Sequence, residues 1–118
     1  MIELKLPYPI STNHLFFSIV RGGKPFRVKT QPALDFCEEA GYTARAVCRE
    51  PLQGRISVHL IYTPKHGVGF DIDNVCKCAL DALTGICWKD DSQIDRLLVE
   101  RTKADKVGAF MVKIGEIE

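Results

Sequence analysis

The sequence has no apolar run near the ~20 residues that a membrane-spanning helix requires, and only one tryptophan and two methionines. Its first residues, Met1-Ile2-Glu3-Leu4-Lys5, form neither a basic nor an apolar leader region, so export is not expected and a cytoplasmic location is. Five cysteines (37, 48, 76, 78 and 87) are an odd number for a disulfide framework and read as reduced, small apolar fillers. Only Cys76 and Cys78 approach zinc-ligand spacing, and residues two apart on a helix do not share a face. His14, His59 and His66 do not complete such a set, so no structural zinc is expected. A large charge of one sign is also missing, because the net charge is +1. What is present is 118 residues with 46% hydrophobic side chains, which suits one domain over 1–118 and argues against disorder. A domain of that size can bury a core without covalent staples.

Charge is unevenly distributed. Residues 1–30 hold five Lys/Arg against one acid, whereas residues 71–118 hold seven against ten. This asymmetry has two readings, an accident of composition or the arrangement a metal-using nuclease needs, with a basic region for phosphates and a carboxylate-rich region for cations.

Ile2 to Leu6 alternates as a strand and ends at Pro7 and Pro9. Leu15 to Val20 and Pro25 to Thr30 flank Arg21-Gly22-Gly23-Lys24, a hairpin signature that puts Arg27 and Lys29 on one face and Phe26 and Val28 on the other. Ala33, Cys37, Ala40, Ala44 and Val47 set a helical period within Gln31 to Arg49, with Pro32 in the first turn. Arg55 to Thr63 reads as a strand, Asp73 to Thr84 as a second helix closed by Gly85, and the last two strands lie in Ile94–Lys103 and Phe110–Ile117. The resulting fold class is α+β, with a mixed sheet and two main helices.

The stretch with most chemical content is Phe70-Asp71-Ile72-Asp73-Asn74-Val75-Cys76-Lys77, followed by Asp81 and Trp88-Lys89-Asp90-Asp91-Ser92-Gln93. In extended chain Asp71 and Asp73 leave on one side, with Cα atoms about 6.5–7 Å apart, close enough to share a hard cation. Asp73 also stands at a helix start, where an anion is favoured and an N-cap is the alternative role. Asp73, Lys77 and Asp81 follow i, i+4, i+8 as one polar stripe. Lys77 is thus set either for a phosphate or for plain i, i+4 ion pairs. Cys76, Ala79, Leu80 and Leu83 form the opposite, buried face. The helix advances about 16–18 Å, and Gly85 to Asp91 can reach about 20–25 Å when nearly extended. The connector can therefore run back and bring Asp90 or Asp91 beside Asp71 and Asp73, forming an oxygen-ligand site for Mg²⁺.

Asp71-x-Asp73-Asn74-x-x-Lys77, Asp81-Ala82-Leu83 and Trp88-x-Asp90-Asp91-x-Gln93 resemble the RusA family of Holliday junction resolvases, small homodimeric endonucleases of bacteria and prophages. Leu6-Pro7-Tyr8-Pro9 with Asn13 resembles that family's N-terminal proline-containing segment. The resemblance implies an α+β homodimer that binds four-way DNA junctions in recombination and repair and makes paired, symmetric cuts with Mg²⁺ or Mn²⁺. It implies Asp71, Asp73 and Asp91 as metal-binding catalytic carboxylates and Lys77 as an essential basic residue, with Asp90 as a further candidate ligand. Arg21, Lys24, Arg27, Lys29 and Asn13 are the candidate DNA contacts. Family members often carry several basic residues before the first Asp, whereas Pro64 to Phe70 here has only Lys65 as a fixed cation. Phe70 is left two roles, wedging a base at the crossover or packing under the sheet. The functional alternatives are a catalytically silent junction- or DNA-binding protein that retains the fold, and a small protein-interaction domain whose acids are surface decoration.

Overall fold

The alternation in Ile2–Leu6 forms the first strand, β1, with Leu4 and Leu6 buried and Glu3 and Lys5 exposed. A computed structural model describes residues 1–117. After β1 come the hairpin strands β2 (Phe16–Arg21) and β3 (Lys24–Lys29), helix α1 (Gln31–Val47), β4 (Ile56–Thr63), helix α2 (Cys76–Leu83), β5 (Ile94–Arg101) and β6 (Ala109–Glu116). Short 3-10 turns cover Thr12–His14, Ile72–Val75 and Asp91–Gln93. The main sheet has the order β1-β6-β4-β5 and is mixed, since β4 and β5 run parallel while the other pairs are antiparallel. The α+β class with a mixed sheet and two helices is therefore the observed fold.

Both helices cover one face of this sheet. The alternating residues Ile56, Val58, Leu60 and Tyr62 of β4, with Phe110, Val112 and Ile114 of β6, meet Phe36, Ala40 and Ala44 of α1 and Ala79, Ala82 and Leu83 of α2. Trp88, fully buried, fills the space beyond the end of α2. The Thr30 hydroxyl caps α1 by accepting from the Ala33 N–H. The core face of α1 is centred on Phe36, Ala40 and Ala44 rather than on Cys37, because the larger ring takes the inward position. Val47, expected inside, is 52% exposed, since the helix ends there and the chain turns away at Cys48. All five cysteines are free, and Cys48 and Cys87 face each other in the core with their Sγ atoms 2.8 Å apart.

The hairpin β2–β3 forms a sheet of its own. Gly22 (φ +57°) and Gly23 (φ +76°) supply the two left-handed positions that a two-residue turn matched to strand twist requires. The arm widens the molecule: the radius of gyration is 14.9 Å, against roughly 13–14 Å for a chain of this length packed as a simple globule. As expected, Arg27 and Lys29 share one face with Ser18 and Phe16, and Phe26 and Val28 share the other with Ile19 and Phe17. Phe17 and Phe26 stay half-exposed. Among the described residues no helix is long and apolar enough to cross a membrane.

Candidate active site

Asp71 and Asp73 lie at the head of α2. The chain there does not stay extended: Ile72–Val75 closes a 3-10 turn that leads directly into α2, with the Asn74 N–H donating to the Asp71 carbonyl at 2.9 Å. Asp71, not Asp73, therefore holds the N-cap position, and its side chain makes no capping hydrogen bond. Asp73 sits in the first turn. Both are exposed, and among the described residues neither carboxylate accepts a hydrogen bond or pairs with a cation. Their position at the positive end of a helical path favours anions and compensates part of their mutual repulsion. Burial, reinforced by the charge of nearby Asp73, pushes the Cys76 thiol up from its ordinary pKa.

Lys77 follows one turn later and is half-exposed. It pairs with Asp81 at 3.1 Å. An exposed i, i+4 pair of this kind contributes only ~0.3–0.5 kcal/mol, so a phosphate can displace it.

Asp91 is elsewhere. The chain after α2 does not run back along the helix but folds tightly on itself, with the Gly85 N–H on the Trp88 carbonyl at 2.6 Å and the Cys87 N–H on the Leu83 carbonyl at 3.0 Å. Asp91 Oδ1 then accepts from the Thr84 hydroxyl and, at 3.3 Å, from the Trp88 indole N–H. Thr84 is the C-cap of α2. Asp91 thus sits at the opposite end of an eight-residue helix, about 12 Å long, from Asp71 and Asp73. The expectation that the connector brings Asp90 or Asp91 beside the other two within one chain is corrected by this turn. On the observed path Trp88 is fully buried and its indole N–H donates to the Thr84 hydroxyl at 3.0 Å. Among the described residues, no three His, Cys, Asp or Glu side chains gather as a metal-ligand group.

Asp90 and Gln93 have local duties. The Asp90 carboxylate caps the following 3-10 turn by accepting from the Ser92 N–H at 2.9 Å, and Ser92 holds its carboxyl below the usual carboxylate range. The buried Gln93 accepts from the Lys89 and Asp90 N–H groups at 2.7 and 2.9 Å and donates to the Leu52 and Gly54 carbonyls, each at 2.8 Å. It fixes the turn that carries Asp91.

The N-terminal proline segment reaches the head of α2. The Thr12 hydroxyl donates to the Asn74 carbonyl at 3.2 Å, which brings the Thr12–His14 turn, with exposed Asn13, beside Ile72–Val75. The hairpin arm starts from the same place, since Thr30 bonds back to Leu15 and His14. On the arm Arg21, Lys24 and Arg27 are exposed. Lys29 is partly covered, and the Arg27 guanidinium lies 4.3 Å from the Phe16 ring centroid. Phe70 stacks on Tyr62 at 6.2 Å and 9°, so it takes the packing role. Thr12 and Tyr62 support this end of the molecule without having been singled out from the sequence, and Tyr8 entered there only as part of the proline segment. Their partners lie more than fifty positions away for Tyr8 and Thr12, and no local periodicity signals such bonds.

The donor chemistry at the head of α2 fits Mg²⁺. That ion takes one or two carboxylates, retains waters and accepts phosphate oxygens rather than filling an all-protein cage. Two free, exposed carboxylates provide that. Among curated proteins, none matches this chain. The family model for Endodeoxyribonuclease RusA matches residues 9–115, which includes Pro9, Asn13, the arm, Asp71, Asp73, Lys77 and Asp91. With nearly its whole length inside that match, the chain belongs to the RusA endodeoxyribonuclease family.

Proposed function

We propose that this protein is a Mg²⁺-dependent endonuclease that resolves four-way DNA junctions as a homodimer, by paired and symmetric phosphodiester hydrolysis. The observation that carries the reading is the pair of exposed, uncommitted carboxylates of Asp71 and Asp73 at the head of α2. These two residues would hold the cation, Mg²⁺ or Mn²⁺. A divalent cation there supplies Lewis-acid chemistry to the scissile phosphate. Lys77, released from Asp81, neutralises the charge that builds on the phosphate as the bond breaks. Arg21, Lys24, Arg27 and Lys29 on the arm, with Asn13 at its root, contact phosphates and select for shape rather than base sequence.

Asp91 enters from a second copy. Asp73, Lys77, Asp81 and Thr84 recur along one face of the α2 path, with Asp71 at its head and Asp91 at its foot. A two-fold axis across this stripe sets two such faces antiparallel. Each Asp91 then meets the other copy's Asp71 and Asp73, and each Lys77 meets the other copy's Asp81. Two cuts on a symmetric junction follow from two such composite sites.

Subunit complementation tests this. Asp73→Asn and Asp91→Asn homodimers should each bind a synthetic four-way junction and fail to cut it. Mixed and allowed to exchange, they form heterodimers with one undamaged composite site, and nicking should return. Two inactive homodimers whose mixture stays inactive would place Asp91 in its own chain's site. Homodimers that cut like wild type would refute the carboxylate assignment. Metal-independent junction binding without any nicking by wild type would favour a silent binding protein.

A further inference from the structure

Asp71 follows a seven-residue loop, Pro64 to Phe70, whose backbone is tied to two tyrosine hydroxyls. The Tyr8 hydroxyl lies 2.6 Å from the Val68 carbonyl, 3.0 Å from the Lys65 N–H and 2.8 Å from the Tyr62 hydroxyl. The Tyr62 hydroxyl lies 3.1 Å from the Phe70 N–H. Proton counting leaves one arrangement. The Val68 carbonyl can only accept, so the single Tyr8 proton goes there. Tyr8 must then accept from Lys65 and from Tyr62, and Tyr62 accepts from Phe70. Every lone pair and proton needed is used once.

The clamp has a rigid base. Tyr62 is fully buried at the end of β4, and burial together with the Tyr8 bond pushes its hydroxyl up to about 12, so it stays a neutral donor at physiological pH. Its ring stacks on Phe70, and the Tyr8 ring lies 5.8 Å from both Tyr62 and Phe70. On the other side Gly108 lies flat against Tyr8, where a β-carbon would come within 2.6 Å of the ring. The loop is also tied to the turn before β6, through His66 N–H to the Asp105 carbonyl at 2.9 Å and Asp105 N–H to the Pro64 carbonyl at 3.0 Å.

We propose that Tyr8 and Tyr62 are positioning residues for the metal-binding carboxylates: the two hydroxyls hold the backbone at residues 65, 68 and 70 so that Asp71 leaves the loop in a fixed direction beside Asp73. The inference rests on the Asp71–Asp73 reading above. It also explains how a loop with a single fixed cation keeps a defined shape, through backbone bonds rather than through DNA contacts.

Tyr8→Phe and Tyr62→Phe test it by three readouts: amide hydrogen exchange, junction cleavage, and Mn²⁺ binding followed by paramagnetic broadening of Asp71 and Asp73. Protection should fall about tenfold or more at Phe70 in Tyr62→Phe and at Lys65 in Tyr8→Phe. Cleavage should show kcat reduced roughly 10–100-fold with KM within about twofold, as expected when a reactive group is displaced without loss of binding. Half-saturating Mn²⁺ should rise in both variants. Tyr8→Phe, at the half-buried end of the pair, keeps the test open if Tyr62→Phe folds poorly. Wild-type kcat and Mn²⁺ affinity in both variants would overturn the positioning role while leaving the nuclease reading in place. A wild-type protein that neither cuts junctions nor binds Mn²⁺ would overturn both.

Discussion

Gln93→Leu isolates a single buried side chain of nearly conserved volume. The amide bonds four backbone groups on two separate segments, at Lys89, Asp90, Leu52 and Gly54. Each bond contributes about 0.5–1.5 kcal/mol net, with more lost where a backbone group stays buried without a partner. Lys89 and Asp90 are exposed and can be rehydrated, which places the loss near the lower figure for their two bonds. Leucine recovers part of the difference by apolar burial, and the expected total is about 2–4 kcal/mol. That is a large share of the ~5–15 kcal/mol of a typical domain. At roughly 4 °C per kcal/mol for a chain of this size, Tm should fall by about 8–16 °C. Urea titration with an unchanged m-value, alongside calorimetry, measures it. Junction cleavage should also drop at temperatures where the variant remains folded, because the same turn carries Asp91. A Tm within 3 °C of wild type (about 1 kcal/mol or less) would refute the idea that Gln93 ties the turn to Leu52 and Gly54.

Other outcomes follow from the same structure. Replacing Thr84 with valine removes the hydroxyl against Asp91 and should reduce kcat for junction cleavage several-fold while leaving DNA affinity unchanged, as gel shifts and single-turnover kinetics can show. Arg21→Ala with Lys24→Ala should weaken junction binding and lower the slope of log K against log salt by about one to two, read by anisotropy across salt concentrations. Chelation with EDTA should abolish cutting and leave binding, with activity restored by Mg²⁺ or Mn²⁺. Because the Tyr62 hydroxyl titrates near 12 when folded and near 10 when exposed, its contribution to stability is intact below about pH 10. It is lost between about 10 and 12, so the alkaline fall in Tm should be shallower in Tyr62→Phe than in wild type.

Elements governed by local period were legible. The alternation in β1 and β4 and the Gly22-Gly23 turn depend on neighbours one to four positions away, and each appeared where expected. The phase of α1 was legible in Ala33, Ala40 and Ala44, which are buried as expected, while Phe36 takes the inward site beside a partly buried Cys37 because ring size decides. The four-residue 3-10 turn at Ile72–Val75 is too short to have a period, and it changed which aspartate occupies the N-cap. Chain length sets only the farthest reach of residues 85–91. The actual path was set by burial of Trp88 and the bonds of Thr84 and Gln93, which is why Asp91 lies at the foot of α2. That Asp71, Asp73 and Lys77 gather at one helix start was legible because their order along the chain is local, although the chain coils between the two aspartates instead of staying extended. The tyrosine clamp depends on hydroxyls 54 positions apart and left no sequence pattern.

The most direct measurement of the central claim is cleavage of a synthetic four-way junction by wild type and Asp73→Asn in Mg²⁺, at matched junction affinity. The account predicts paired, symmetric nicks from wild type and a rate lower by roughly 100-fold or more in the variant, the scale of losing a group that stabilises transition-state charge. Equal rates for the two proteins would contradict it.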